Sequence, residues 1–262
     1  MVELWERFSY YGMRALLVLF MVAPATSGGL GFGTVEAALL YGNYTMAVYL
    51  LSIPGGYAAD HLLGARRSVL IGGLVIAGGH FAMAVPSVMG FYLGLVLIAL
   101  GTGLFKPNIS AMVGGLYPPG DPRRDAGFSI FYMGINIGAL AAPFVTGFLA
   151  QSALFKSWLV AWGLDPAHSW HWGFAAAGVG MTLSTGLFSL RLRRFGSVGS
   201  PPDQPSLSPR SALAVVGGST GLLALLLLSD RPGWEWLRYV IVAIPVIAII
   251  WFTRREDLEH RR

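Results

Sequence analysis

The chain has 262 residues, of which 55% are hydrophobic and 12% are charged. A soluble domain carries charge on about a quarter of its residues, so this composition excludes an ordinary soluble protein and indicates a polytopic membrane protein. The basic residues behind the net charge of +5 lie mainly in short loops, where they set membrane topology, so we infer no nucleic-acid partner. The absence of cysteine excludes a disulfide framework, a thiol nucleophile and a thiolate metal site.

The first stretch of the chain combines ionisable side chains with a predicted membrane-spanning helix. Six of its side chains fall on or beside one helical stripe: Glu3, Glu6, Arg7, Tyr10, Tyr11 and Arg14. A charge at mid-bilayer costs roughly 2.5 to 3.5 kcal/mol, so we expect this face to turn toward other helices or a watery cavity and to be functional. The alternative is a cluster that only neutralises itself at the membrane interface. Charges in this helix also argue against a cleaved signal peptide.

Apolar segments then recur along the chain, each near the ~20 residues of a spanning helix. Six of them are Leu4 to Val22, Ala37 to Ala59, Val69 to Val85, Gly90 to Leu116, Gly127 to Ala150 and Trp172 to Leu190. Two more, Ala212 to Leu228 and Leu237 to Phe252, follow a proline-rich polar run. The predicted fold is therefore all-α. Its domains are a six-helix bundle (1–192), a cytoplasmic linker (193–211), a transmembrane hairpin (212–253) and a charged cytoplasmic tail (254–262).

Arginines mark the loops that we expect on the cytoplasmic side. They follow the second, fourth and sixth segments at Arg66 and Arg67, Arg123 and Arg124, and Arg191, Arg193 and Arg194. By the positive-inside rule, these loops are predicted to be cytoplasmic in a multi-pass protein of the cell (inner or plasma) membrane. The loops 27–34, 86–87 and 157–172 then face outward.

Three polar side chains lie inside later segments. Lys106 precedes Pro107 in the fourth segment, where it faces either a cavity or, by snorkelling, the cytoplasmic surface. Asn136 in the fifth segment carries an amide at membrane depth that needs partners or water. Tyr49 in the second is either a core residue or a cavity hydroxyl. Most glycines in the segments, such as Gly78 and Gly79, are interpreted as packing residues.

Three segments carry motifs. They are Glu3-x-x-Glu6-Arg7 with the following Phe8-Ser9-Tyr10-Tyr11-Gly12, the sequence Lys106-Pro107-Asn108, and the run from Phe128 to Ala139. In this order they closely resemble the proton-dependent oligopeptide transporters of the major facilitator superfamily, from Glu3 to about Leu192. The loop Gly56 to Arg67 resembles the superfamily signature between helices two and three, with His61 in place of the usual basic residue. The hairpin is similar to an extra pair in many bacterial members.

The resemblance implies a proton-coupled symporter of di- and tripeptides that works by alternating access, uses no cofactor and is driven by a proton gradient. It implies proton coupling by Glu3, Glu6 and Arg7, binding of the peptide carboxylate by Arg14 and Lys106, a polar wall of Tyr10, Tyr11, Tyr49 and Asn136, and a conformational latch of Asp60, Arg66 and Arg67. Partners are then a small peptide, protons and the lipid bilayer.

Length is the main departure from this family, whose members have twelve core helices in two halves. This chain ends at Arg262 after one half and the hairpin, and little precedes Glu3, so we expect a truncated or partial copy that needs a C-terminal half. Carboxylates of that second half, which pair with Arg14 and Lys106 in the family, are absent here.

Three alternatives remain from the sequence. The same cations would also serve nitrate or another small anion, although the pair Glu3 and Glu6 favours peptide. The chain could be a non-transporting membrane subunit or an inactive fragment. His168 and His171, beside Asp165, have a spacing that could bind metal, but they lack a fourth ligand and an acid–base pair, so we predict neither a metal site nor an enzyme.

Overall fold

The structure is a computed structural model that describes residues 1–202. This part of the chain is helical and contains six long helices and one short one. They are α1 (Val2–Val22), α2 (Thr34–Ala58), α3 (Gly64–Ala84), α4 (Val88–Gly115), α5 (Arg123–Gln151), α6 (Ala153–Ala161) and α7 (Ser169–Leu190). The six long helices match the six predicted segments, which confirms the all-α fold class. The predicted hairpin (212–253), the tail (254–262) and most of the linker lie outside the described residues.

The short helix α6 is not expected from the sequence, and it overlaps the beginning of the predicted outer loop 157–172. Its apolar residues recur at helical spacing, and Phe155 and Leu159 are buried. The ring of Phe155 lies 6.3 Å from that of Trp158 and 6.1 Å from that of Trp172, measured between centroids. Aromatic contacts therefore fold the first part of this connection into a helix.

Four stretches of the described residues are long and apolar enough to cross a membrane. They are Thr34–Ala84, which joins α2 and α3, and then Val88–Gly115, Arg123–Gln151 and Pro166–Leu190. The first stretch is continuous because a π-helical turn, Ala59–Leu63, connects its two helices. Helix α1 is not among them, since it holds four charged side chains.

Glycines let the longest helices approach one another. A Cβ atom added at Gly72 would lie 2.7 Å from the backbone oxygen of Gly101, and one at Gly79 would lie 2.9 Å from that of Gly94. These two pairs, seven residues apart on each helix, bring α3 and α4 into backbone contact. This confirms the interpretation of Gly72, Gly79 and Gly101 as packing residues, whereas it was wrong for Gly78, where a Cβ atom would meet nothing within 4 Å.

Helix α1 is packed on several sides by the other helices. The Ser184 hydroxyl of α7 donates to the Val2 oxygen at 2.8 Å, and the Thr146 hydroxyl of α5 donates to the Gly12 oxygen at 3.2 Å. Ser9 shares a 2.7 Å hydrogen bond with His80 of α3. Polar contacts to three helices thus fix how α1 is rotated within the bundle.

Helix α5 presents a long exposed apolar face. Its buried residues are only Gly138, Ala142, Thr146 and Ala150, which form one narrow strip at a spacing of four. Large apolar side chains on the rest of the helix are exposed, among them Ile137, Leu140 and Phe144. Tyr49 and Ile53 of α2 are exposed as well.

Candidate functional site

The first turns of α1 hold a buried cluster of two carboxylates and one guanidinium. Arg7 Nε lies 3.0 Å from Glu3 Oε1, and Arg7 Nη2 donates to Glu6 Oε1 at 2.9 Å. Arg7 Nε also contacts Glu6 Oε2. All three side chains are buried, and Glu3 Oε2 has no hydrogen-bond partner. With both carboxylates ionised, the cluster carries one negative charge in excess.

Aromatic rings link this cluster to the next basic residue of α1. The guanidinium carbon of Arg7 lies 5.2 Å from the ring centroid of Tyr10, and that of Arg14 lies 6.0 Å from the same ring. Arg14 also donates a hydrogen bond from Nε to the hydroxyl of Tyr41 on α2. Tyr11 packs edge-to-face on Tyr10. The helical repeat thus aligns two cations on a shared ring.

Lys106 of α4 belongs to the same region. Its Nζ atom lies 4.3 Å from the ring centroid of Tyr49, and its charge interacts electrostatically with Glu3. The side chain of Lys106 is half-buried, and the structure places it against the ring of Tyr49 on α2.

Asn136 lies on α5, close to the beginning of α1. A Cβ atom at nearby Gly138 would lie 2.3 Å from the backbone oxygen of Leu4, so the two helices touch at this level. The side chain of Asn136 is exposed on the open face of α5 rather than buried in the bundle. Tyr49 is exposed as well, at 58% of its surface, so both side chains can be reached from outside the bundle.

The proposed latch residues are not paired with one another. Arg66 donates from Nε to the backbone oxygen of Val198 at 2.6 Å and from Nη2 to that of Gly196. Its backbone N–H donates to the Gly199 oxygen at 2.9 Å. Asp60 and Arg67 are exposed, and within residues 1–202 no ion pair joins Asp60 to either arginine. Arg66 instead holds the segment that leaves α7.

The α4–α5 loop carries a separate, exposed ion pair. Arg123 Nη2 lies 2.7 Å from Asp121 Oδ2, and the Arg123 backbone N–H donates to Asp121 Oδ1 at 2.9 Å. Hydrogen bonding from Arg123 holds the pKa of Asp121 below its usual value. Because the carboxylate also receives the first backbone N–H of α5, this pair defines where the helix begins.

Two interactions at the site were missed by the sequence analysis. Tyr41, which binds Arg14, was not singled out among the tyrosines of α2. The fully buried pair of Ser9 and His80 was missed too, although a histidine inside an apolar segment is itself a signal. His168 and His171 have ring centroids 6.1 Å apart, and His171 Nδ1 is hydrogen-bonded to the Met83 oxygen. That contact gives His171 a structural partner.

The family of this chain follows from its similarity to known proteins. A model of the POT family (PTR2) matches residues 66–213, which is more than half of the 262 residues. The chain belongs to the POT family. POT relatives of this chain are transporters rather than enzymes, and the apolar helices agree with a multi-pass membrane protein.

Several POT relatives are similar over most of the chain. An uncharacterized transporter, YclF of Bacillus subtilis, is 41% identical over 250 residues, which are 95% of this chain and 48% of that protein. The peptide transporter YePEPT of Yersinia enterocolitica is 46% identical over 189 residues, or 71% of this chain and 34% of its own length. A di-/tripeptide transporter of Lactococcus lactis is 44% identical over 209 residues, or 78% and 39%.

Solved POT structures share the fold. The crystal structure of a peptide transporter POT in complex with sulfate has a TM-score of 0.76 at 40% identity and covers 96% of this chain and 50% of that one. A POT family transporter in complex with 5-aminolevulinic acid has a TM-score of 0.76 at 35% identity, with the same coverage. The matched region thus spans half of each of these solved chains and between 34% and 48% of the three relatives above.

Proposed function

We propose that this chain forms one six-helix half of a proton-coupled symporter of di- and tripeptides that works by alternating access. The observation that carries the proposal is the placement of a buried Glu3, Glu6 and Arg7 cluster beside two further cations, Arg14 and Lys106, on one side of the bundle. Relatives named as peptide and di-/tripeptide transporters support the choice of substrate.

Proton coupling is assigned to the cluster at the start of α1. Two buried carboxylates share one guanidinium, so they carry one negative charge more than Arg7 balances, and the charge of Lys106 acts on Glu3 as well. Binding one proton removes this charge, and Glu3 Oε2, which has no hydrogen-bond partner, is an atom that can accept it. A change in helix packing that alters the pairing with Arg7 changes the affinity for the proton, and this links the proton gradient to conformation.

Substrate binding is assigned to Arg14 and Lys106. Both are half-buried and held against aromatic rings, a position in which a cation interacts strongly with an anionic group such as a peptide carboxylate. Tyr10, Tyr11, Tyr49 and Asn136 supply the polar wall around them. The conformational change at the α2–α3 turn is proposed to involve Asp60, Arg66 and Arg67. Arg66 is hydrogen-bonded there to the segment after α7.

The partner is proposed to be a second six-helix half. Exposed apolar residues of α5 lie on the helix that carries Asn136 and those of α2 on the helix that carries Tyr49, and we assign the contact with the second half to these exposed surfaces. A second bundle packed there would enclose the substrate, whereas lipid alone would leave these polar groups unsatisfied. The protein would lie in the cell membrane, with the loops after α2, α4 and α7 in the cytoplasm.

Transport of a small anion is the second candidate. A related structure with sulfate bound favours it, because Arg14 and Lys106 would hold an inorganic anion by the same charges. The pair Glu3 and Glu6 favours a peptide, and a direct comparison of nitrate uptake with dipeptide uptake distinguishes the two candidates.

Uptake into liposomes tests the proposal. A full-length version with the second half supplied is reconstituted, and dipeptide accumulation is driven by an inward proton gradient. We expect Glu6→Gln and Lys106→Ala to abolish uphill uptake, whereas Glu6→Gln retains exchange of dipeptide at equal concentrations because the binding groups are intact. Matched controls are Glu36→Gln, at an exposed carboxylate, and Lys156→Ala, in the outer connection. Uphill uptake in both site variants would reject the coupling assignment, and nitrate uptake without dipeptide uptake would select the second candidate.

A further inference from the structure

A cavity of about 320 Å³, open to the surface of the bundle, lies beside Arg14 and is lined by residues of α1, α2 and α5. Its polar walls are Arg14, Tyr11 and Tyr41, and the remainder is formed by small apolar groups such as Ala139 and Pro143. Arg14 is the only charged residue among the residues that line it. A space of this size beside one cation suits a small anionic group with an apolar neighbour.

Tyr41 holds the guanidinium of Arg14 at the edge of this cavity. Its hydroxyl accepts a hydrogen bond from Nε, and its ring centroid lies 5.5 Å from the guanidinium carbon. The ring centroid of Tyr10 lies 6.0 Å from the same guanidinium carbon. A guanidinium has five N–H donors, so an occupied Nε leaves the four donors on the two Nη atoms. These four can still bind a carboxylate in the bidentate manner.

We propose that Tyr41 is a positioning residue for substrate recognition: by occupying Nε of Arg14, its hydroxyl directs the terminal Nη edge of the guanidinium to a ligand carboxylate in this cavity. The proposal rests on the proposed function, which makes Arg14 a binding group for the peptide carboxylate. It adds a residue on α2, and a direction of approach, to that binding site.

Affinity should depend on this contact because an arginine side chain is long and flexible. Held by Tyr41, it has already lost much of its rotamer freedom before a ligand arrives, and less is lost on binding. One net hydrogen bond of this kind corresponds to about a three- to tenfold change in a dissociation constant. The effect should be confined to ligands that present a carboxylate.

Removal of two hydroxyls one turn apart provides the test. Tyr41→Phe deletes the hydroxyl that binds Arg14 and keeps the ring, whereas Tyr44→Phe deletes a fully buried hydroxyl that has no hydrogen-bond partner. Dissociation constants are measured on the reconstituted full-length protein for a dipeptide and for the same dipeptide with a C-terminal amide. We expect Tyr41→Phe to weaken the dipeptide about three- to tenfold and to leave the amide unchanged. Tyr44→Phe should change neither.

Other results of these measurements would show either that Tyr41 has only a structural role or that the proposed function fails. An equal loss for dipeptide and amide shows a merely structural role for Tyr41 and overturns the inference, as does tighter binding of the dipeptide. Arg14→Gln is the reference, because it should reduce the preference for the carboxylate more than Tyr41→Phe does, while Lys106 remains. If Arg14→Gln does so and Tyr41→Phe does not weaken the dipeptide, the inference fails while the proposed function stands. If Arg14→Gln leaves the preference intact, both fail.

Discussion

Two neighbouring glycines of α3 allow a sharp test of how the bundle is packed. A Cβ atom at Gly79 would lie 2.7 Å from Ile98 Cγ1, 2.9 Å from the Gly94 oxygen and 3.0 Å from the Ile98 nitrogen. Two of these atoms are backbone atoms of α4, so they cannot move unless the helix moves. At Gly78, one residue earlier, a Cβ atom would meet nothing within 4 Å. Replacement by alanine should therefore have different effects at the two sites.

Two energy terms set the expected difference in the free energy of unfolding between Gly78→Ala and Gly79→Ala. Replacing glycine by alanine in a helix favours folding by about 0.8 to 1.0 kcal/mol, and this applies to both positions. Overpacking at a tight contact costs about 1 to 3 kcal/mol, and this applies only to Gly79. Gly79→Ala should thus have a free energy of unfolding about 1 to 3 kcal/mol lower than that of Gly78→Ala, because the helix-propensity term cancels in the comparison.

Unfolding in mixed micelles with increasing denaturing detergent, followed by loss of helical circular dichroism, measures the difference. Gly78→Ala should be as stable as the parent chain or more stable, and Gly79→Ala should unfold at lower detergent. Equal midpoints for the two variants would show that α3 and α4 are not in backbone contact at Gly94. The packing of the bundle on small residues would then be refuted.

Two further predictions concern single side chains. Tyr44→Phe should leave the free energy of unfolding unchanged or raise it by about 1 kcal/mol, because the deleted hydroxyl is buried without a partner, and the same detergent titration measures it. Arg66→Ala should speed maleimide labelling of Val198→Cys, whose backbone Arg66 holds, while exposed Arg67→Ala should not. The chain has no native cysteine, so labelling reports on this position alone, and equal rates in the two variants would contradict the anchoring role.

The long helices were predictable because each is an apolar segment of sufficient length. The ends of the helices were less predictable. Helix α5 begins at Arg123 rather than at Gly127, where its apolar segment starts, because Asp121 accepts a hydrogen bond from the first backbone N–H of the helix. The short helix α6 lacks the length that marks a spanning segment, and its aromatic residues fit a loop at the membrane interface equally well. Its contacts with α5 and α7 decide its structure, and these depend on tertiary packing.

Within one helix, the site was predictable from the helical repeat. Glu3 and Arg7 are four residues apart, so their pairing follows from α1 alone. Contacts between helices were not predictable, because a single sequence does not fix the register of one helix against another. The hydrogen bond from Arg14 to Tyr41 is such a contact. Arg66 is a second example, because its partner Val198 is 132 residues away in the sequence.

The charges of α1 explain why apolarity alone does not find the helix that carries the site. Arg7 is paired with two carboxylates and Arg14 with a phenol, so contacts inside the bundle stabilise these groups. Such a cluster is tolerated at membrane depth only while its pairs are intact, because breaking a buried pair leaves an uncompensated charge. With one carboxylate more than Arg7 balances, a single proton changes the net charge that is buried in this cluster. This is the reason why we propose that α1 couples protons to conformation.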